Sequence, residues 1–405
     1  MRYLQRTLED VLARAARAFP AILLTGPRQS GKTTLLLRKF GRTHRYVSVE
    51  PPDIRAAATA DPRGFLDLYP PPAIYDEVQC VPALLPYIKE MIDARRHVPG
   101  QFFLTGSENL LLSRHVTETL AGRAAILRLL PLTAREMTHR SAAPFPWERA
   151  KSQPPAPLSR SSLWKMLLRG SYPEPASHSK RDAVLWYGSY LHTYLERDVR
   201  SLKQIGDLTQ FQIFLRALAI RSAQLLNLSE LSRDLGIAVN TVKAWLSVLE
   251  ATDQILILRP YFENTGKRLV KTPKVYFTDT GMLCHLAGLR APEHARSGPM
   301  GGAIFETAVV SEIYRATLHR GDDPKLFFWR TAAGDEVDLI VDAGGTLIPI
   351  EIKATATPNP RMAHGIESFR AAYGNRVAKG YVVHTGGVTL PLAPGVTALP
   401  FTSLF

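Results

Sequence analysis

Cysteine is scarce: only Cys80 and Cys284 occur in 405 residues. Two thiols so far apart make neither a disulfide framework nor a zinc cluster, so a reducing, cytoplasmic setting is expected and both are read as small core residues. No apolar run approaches the ~20 residues needed to span a bilayer. The opening residues, Met1-Arg2-Tyr3-Leu4-Gln5-Arg6, mix charge into the first turn and lack a signal-peptide core. No membrane partner is expected. Acidic residues are also under-represented, with 36 Asp and Glu against 50 Lys and Arg, a net charge of +14. Such an excess attracts polyanions, and DNA becomes the expected partner if the basic residues gather on a binding element; a basic solvated surface would give the same count. No internal repeat is apparent. What remains is ordinary for a globular chain, 45% apolar and 21% charged, and long enough for two or three units with separate cores.

The first stretch alternates short apolar strands with helical patterns, the signature of a parallel α/β sheet. Strands are expected at residues 21–25, 45–49, 73–76, 101–105 and 125–129, giving a nucleotide-binding core over residues 1–140. A Pro-rich stretch, residues 142–162, reads as a linker. Residues 141–224 form the expected linker and helical lid. Over residues 225–297, Leu228–Ile237 reads as a helix closed by glycine and Asn240–Leu246 opens a second, a helix-turn-helix. Strands at 255–258 and 274–277 flank a basic loop and complete a winged helix. Residues 298–405 read as a small α/β domain, with a helix from about 304 to 318 and strands at 326–329, 336–341, 347–353 and 380–384.

Gly26-Pro27-Arg28-Gln29-Ser30-Gly31-Lys32-Thr33 fits the phosphate-binding pattern G-x-x-x-x-G-K-[ST] in full, between a strand and a helix, with Thr34 following. Glycines let backbone N–H groups turn toward phosphates, and the helix N-terminus adds its dipole. Lys32 is expected on the β- and γ-phosphates of ATP and the Thr33 hydroxyl on Mg²⁺. The third strand ends Ile74-Tyr75-Asp76-Glu77; Asp76 is expected to hold the Mg²⁺ shell and Glu77 to orient the attacking water. The fourth ends Thr105-Gly106-Ser107, so Ser107 or Thr105 is the expected γ-phosphate sensor. Arg123, before the fifth strand, is either a surface residue or a finger acting in trans on a neighbour's ATP, which would require a homo-oligomer.

These motifs, together with Pro131-Leu132-Thr133-Ala134-Arg135-Glu136, Tyr194-Leu195-Glu196-Arg197-Asp198 and Lys271–Gly281, resemble the AAA+-like P-loop ATPases with a C-terminal DUF4143 region. The resemblance covers nearly the whole chain. It implies an α/β fold with an AAA+-like parallel sheet, a helical lid, a winged helix and a small restriction-endonuclease-like α/β domain.

In a winged helix the second helix reaches the major groove and the wing the backbone. Asn240, Thr241 and Lys243 begin that helix, and Lys267, Arg268, Lys271 and Lys274 lie on the wing, suited to phosphates; Tyr261 and Phe262 are expected to pack inside. In the last domain, a two-residue turn at Gly344-Gly345 would pair Ala343 with Thr346 and set Asp338 opposite Glu351 and Glu336 opposite Lys353. Opposed carboxylates at that spacing can share Mg²⁺, with Lys353 assisting a water that attacks phosphorus. Asp338…Glu351-x-Lys353 resembles the PD-(D/E)xK nucleases, whose helical glutamate would be Glu306. A charged hairpin holding salt bridges is the other reading of the same residues. The expected function is an ATPase that binds and remodels duplex or branched DNA, with metal-dependent cleavage in the end domain. The alternative is a nucleotide-controlled switch whose C-terminal domains bind a target without cutting it.

Overall fold

The computed structural model describes residues 3–106, 119–148, 158–195, 207–262 and 270–405. They form two compact units: Met1–Leu132 with Ala251–Asp253 and Leu318–Asp322, and Thr133–Glu250 with Gln254–Thr317 and Asp323–Phe405.

In the first unit, β1 (Ala21–Thr25), β2 (Arg45–Ser48), β3 (Ala73–Asp76), β4 (Phe102–Thr105) and β5 (Ala124–Arg128) form one sheet in the order β2-β3-β4-β1-β5. Every pairing is parallel. β1, β3 and β4 are buried throughout, as expected for a parallel sheet covered on both faces. Because side chains alternate across a strand, Ile22 and Leu24 meet Leu8 and Leu12 of α1 (Leu8–Ala18) and Leu35 and Leu36 of α2 (Lys32–Phe40). Ala21 and Leu23 face the other way, into a core with Leu84, Leu85, Ile88 and Ile92 of α3 (Leu84–Ala94). This order places β4 between the phosphate-loop strand β1 and the acidic strand β3, so the C-terminal ends of all three converge.

In the second unit the helices Arg160–Arg169, Ala183–Tyr194 and Leu208–Ile220 bury Trp164, Trp186, Tyr187, Tyr190, Phe211 and Phe214 in one core. The first is capped by Ser159 and begins inside the stretch expected to be linker. Helices Leu228–Leu235 and Val239–Ala251 follow, joined through Gly236 in the left-handed conformation, φ 66° and ψ 28°, the usual helix stop. Then come β7 (Ile255–Pro260) and β8 (Lys274–Phe277), antiparallel, with the short β6 (Gln224–Leu225) on the far side of β8.

The strands of the winged-helix segment do not stop at the expected boundary of residues 297 and 298. β7 pairs in parallel with β9 (Leu326–Arg330), Arg259 opposite Phe327 and Pro260 opposite Phe328. β10 (Glu336–Ala343), β11 (Thr346–Lys353), β12 (Gly380–His384), β13 (Leu390–Ala393) and β14 (Val396–Pro400) complete one nine-stranded sheet, β13-β14-β12-β11-β10-β9-β7-β8-β6. Among the described residues no helix is long and apolar enough to cross a membrane.

Candidate functional sites

β1 leads into Gly26, where φ is +135° and an added Cβ would lie 2.2 Å from the Leu129 carbonyl oxygen, so only glycine fits. Gln29 at φ 60° and Gly31 at φ 98° turn the loop into α2, whose N-cap residue Gly31 has no side chain to cap it. Uncapped N–H groups at a helix start suit an anion. Lys32 is buried, and its ammonium donates to the carbonyls of Gly26 at 2.8 Å and Pro27 at 3.0 Å. The buried Ser30 hydroxyl has no hydrogen-bond partner among the described residues, which fits a loop shaped for phosphate oxygens. Arg28 is half-buried and Thr34 exposed.

Asp76 sits at the meeting point of three strands. Its Oδ1 accepts from the Thr33 hydroxyl at 2.9 Å and from Thr105, and its Oδ2 from the Tyr46 hydroxyl at 2.9 Å. Burial, then the adjoining Asp76, push the Tyr46 phenol up to about 12, so it remains a donor. A hydroxyl and a carboxylate already in contact are the hard oxygen donors that Mg²⁺ prefers. Glu77 follows in a left-handed conformation, φ 62° and ψ 45°; its N–H donates to the Thr105 hydroxyl at 3.1 Å and its carboxylate accepts from the Gln79 amide. Thr105 is therefore turned onto the acidic pair. Ser107, the other expected sensor, lies outside the described residues. Arg123 is held fork to fork by Asp93 of α3, at 2.6 and 3.0 Å, and donates to the Ala121 carbonyl.

Three further side chains, Arg6, Glu9 and Tyr46, support the site. Arg6, buried, donates to the carbonyls of Ser30 at 2.8 Å and Leu130 at 2.6 Å. Glu9 accepts from the Arg6 N–H and the Tyr3 hydroxyl and pairs with Lys39 of α2 at 2.8 Å. Burial pushes the Glu9 carboxyl up, but Lys39, the Arg6 N–H and Tyr3 outweigh it and hold it below its ordinary value. No motif announces Arg6. Tyr46 had a usable signal, its strand lying beside the acidic strand with Tyr46 opposite Ile74.

The carboxylate hairpin of the second unit has the expected register, from Ala343 opposite Thr346 to Leu339 opposite Ile350. One residue further, Asp338 Oδ2 accepts the Ile352 N–H at 2.8 Å. Lys353 lies 2.5 Å from Glu351 Oε1 and 3.6 Å from Asp338 Oδ2. Glu336 bonds not to Lys353 but to Lys274 at 2.7 Å and Arg330 at 3.3 Å; the β10–β11 ladder runs only to Leu339 and Ile350, and Glu336 lies opposite Arg330 of β9.

Two further expectations are corrected here. Lys274 is not a wing residue facing solvent. It is 4% exposed, and its ammonium lies 3.0 Å from Glu306, 2.7 Å from Glu336 and 3.8 Å from Asp338. Lys274 and Tyr276, two apart on β8, share a face, and the Tyr276 hydroxyl donates to the same Glu306 oxygen at 2.6 Å. Of the expected metal ligands, Glu306 and Asp338 therefore flank the Lys274 ammonium, and Glu351 pairs with Lys353. Among the described residues, no group of three or more His, Cys, Asp or Glu is arranged to hold a metal ion.

Burial, then the charge of Asp338, push Glu306 up to about 7 and Glu351 up to about 8. Burial draws the Lys274 ammonium down, but Glu306, Asp338 and Glu336 outweigh it and hold it above the ordinary lysine value. Lys353 is raised in the same way by Asp338 and Glu351.

At the helix-turn-helix, Asn240 and Lys243 are exposed and Thr241 half-buried, while Val242, Trp245, Leu246 and Leu249 of the same helix face the core. Lys271 is exposed; Lys267 and Arg268 lie outside the described residues. Tyr261 is buried and accepts from Arg376 at 3.0 Å, whereas Phe262 stands 48% exposed and not packed inside as expected.

Comparison with known proteins finds three matching segments. Residues 18–138 match the family described as AAA domain, and residues 301–404 match DUF4143, a domain of unknown function. The chain belongs to the AAA-type ATPases with a C-terminal DUF4143 region. Residues 160–293 match a second domain of unknown function, DUF8612. In this AAA-type ATPase the phosphate loop, Asp76 and Glu77 all fall within the AAA match. The carboxylate cluster is divided: Lys274 lies in the DUF8612 match, and Glu306, Asp338, Glu351 and Lys353 lie in the DUF4143 match. Uncharacterized proteins of Mycobacterium tuberculosis and Mycobacterium bovis are each 33% identical over 403 residues, covering 96% of this chain and 83% of the relative. A solved Walker-type ATPase of Pyrococcus abyssi aligns with a TM-score of 0.43 and 15% identity, over 69% of this chain and 94% of its own.

Proposed function

We propose that this AAA-type ATPase hydrolyses ATP with Mg²⁺ and uses the cycle to remodel duplex or branched DNA held by its helix-turn-helix. The observation that carries the ATP half is the contact of Thr33, Thr105 and Tyr46 on Asp76 directly beside the phosphate loop.

Lys32 is bonded to two carbonyls of its own loop. Arriving phosphates take over that ammonium, exchanging neutral acceptors for charged ones and strengthening its hydrogen bonds. Thr33 and Asp76 would hold Mg²⁺, which neutralises phosphate charge when bound. Glu77, its backbone pinned to Thr105 and its carboxylate steadied by Gln79, is positioned to orient the attacking water and accept its proton. The DNA half rests on the +14 charge together with Asn240 and Lys243, exposed at the start of the second helix of the pair. A finger role for Arg123 in a homo-oligomer requires its pair with Asp93 to open.

The test is ATP hydrolysis by the full chain with and without duplex and four-way-junction DNA, with Lys32→Ala as control. Stimulation by DNA supports remodelling. Wild-type turnover indifferent to DNA refutes it and leaves the nucleotide-controlled switch.

A further inference from the structure

The fold of the second unit and its Asp338…Glu351-x-Lys353 pattern call for a divalent metal, and the residues do not fit one. We infer that the Lys274 ammonium is the permanent cation of this centre, and that the nuclease-like carboxylates operate without Mg²⁺ or any other divalent ion.

Three observations support this. The first is geometric. Lys274 contacts Glu306 and Glu336 at 3.0 and 2.7 Å, the distances of charge-assisted N–H···O bonds. Mg²⁺ would require the same oxygens at about 2.0–2.1 Å in an octahedron. On its remaining side the ammonium lies 5.6 Å from the centre of the Phe328 ring, an aromatic face that favours an organic cation and offers a metal no ligand.

The second is charge. Glu306, Glu336, Asp338 and Glu351 supply four carboxyl groups, and Lys274, Lys353 and Arg330 three cations within 4 Å of them. The three cations thus offset all but one of the four carboxylate charges. A divalent ion added to this set would reverse the sign of its charge and compete for the same oxygens with Lys274, which is itself 4% exposed.

The third is how the ammonium is held. β8 is hydrogen-bonded on both sides, Lys274 lying opposite Leu258 of β7 and Leu225 of β6. The ladder fixes the Lys274 Cα, and burial with the ion pairs to Glu306 and Glu336 holds the ammonium in place. With its cation built in, the centre can bind and orient a target, and it lacks the metal-bound hydroxide that phosphodiester hydrolysis in this type of site requires.

The test uses the full chain without nucleotide or DNA, so its outcome is independent of the ATP-driven reading above. Free Mn²⁺ is followed by electron paramagnetic resonance during titration of wild type, Asp338→Asn, Lys274→Met and the Lys274→Met/Asp338→Asn double variant. Wild type and Asp338→Asn are expected to give superimposable isotherms. Lys274→Met is expected to gain one Mn²⁺ per chain, lost again in the double variant. A Mn²⁺ site in wild type that disappears in Asp338→Asn overturns the inference, as does a folded Lys274→Met that gains none. If Lys274→Met fails to fold, the comparison of wild type with Asp338→Asn decides by itself.

Discussion

The buried Arg6 guanidinium gives the sharpest quantitative test of the nucleotide site. It donates to two backbone carbonyls, Ser30 within the phosphate loop at 2.8 Å and Leu130 just after β5 at 2.6 Å. Methionine in its place preserves the apolar stem and removes both donors. Each buried carbonyl left without a partner costs about 1–3 kcal/mol, so Arg6→Met should destabilise the first unit by roughly 3–4 kcal/mol. At about 2–4 °C per kcal/mol for a unit of this size, its unfolding midpoint should fall by around 10 °C. Arg6→Lys keeps the charge but cannot reach both carbonyls in fork geometry, so about half the loss is expected. The assay is calorimetry of each variant with and without ATP and Mg²⁺, alongside nucleotide affinity, which should weaken as the Ser30 turn loosens. A midpoint within about 2 °C of wild type, with unchanged affinity, would show that Arg6 is a bystander and refute the argument.

Further outcomes are expected in the same chain. Lys32→Ala should weaken ATP binding about ten- to a hundredfold, measured by nucleotide titration; Glu77→Gln should keep that affinity and lose about 10²–10⁴-fold in turnover. If Arg123 acts in trans, Arg123→Ala should lower turnover by about 10³-fold while Asp93→Ala leaves it intact or raises it; equal, small effects would assign the pair to surface structure. Lys243→Ala should weaken DNA binding across sequences and lower the slope of log affinity against log salt by about 1, read by fluorescence anisotropy. Glu306 and Glu351 are raised from 4.5 to about 7 and about 8, so the folded state holds their protons more tightly than the unfolded chain does. Their stabilisation is complete below about pH 4.5 and is lost as pH rises through 7 and 8. The second unit's melting midpoint should therefore fall between about pH 6 and pH 8.5, and Glu351→Gln should flatten that slope.

What the sequence disclosed and what it hid divide along the range of the interactions. The five strands of the first unit follow from apolar runs and turn residues, and the β10–β11 register from two adjacent glycines, all signals within a few residues of the structure they specify. Lys274 was misread because its fate is non-local. A lysine beside a basic loop looks solvated until β8 is flanked by two strands and Glu306 and Glu336, 32 and 62 positions further along, close over it. Arg6 and Leu130, 124 residues apart, left no periodic trace for the same reason. Phe262 shows the converse: aromatic character suggested burial, yet the side chain lies just beyond β7, where the core no longer reaches it.

The parallel pairing of β7 with β9 also bears on how such chains can be dissected. A fragment taken at the DUF4143 boundary, residues 301–404, would expose the edge of β9 at Phe327 and Phe328, an unpaired apolar edge that invites aggregation. It would also leave Glu306, Glu336 and Asp338 close together without the Lys274 ammonium that offsets their charge. Segments recognisable as separate modules in a database of sequences need not be separable in a test tube. Here recombination, truncation and domain swapping would all have to carry residues 224–277 along with the end domain.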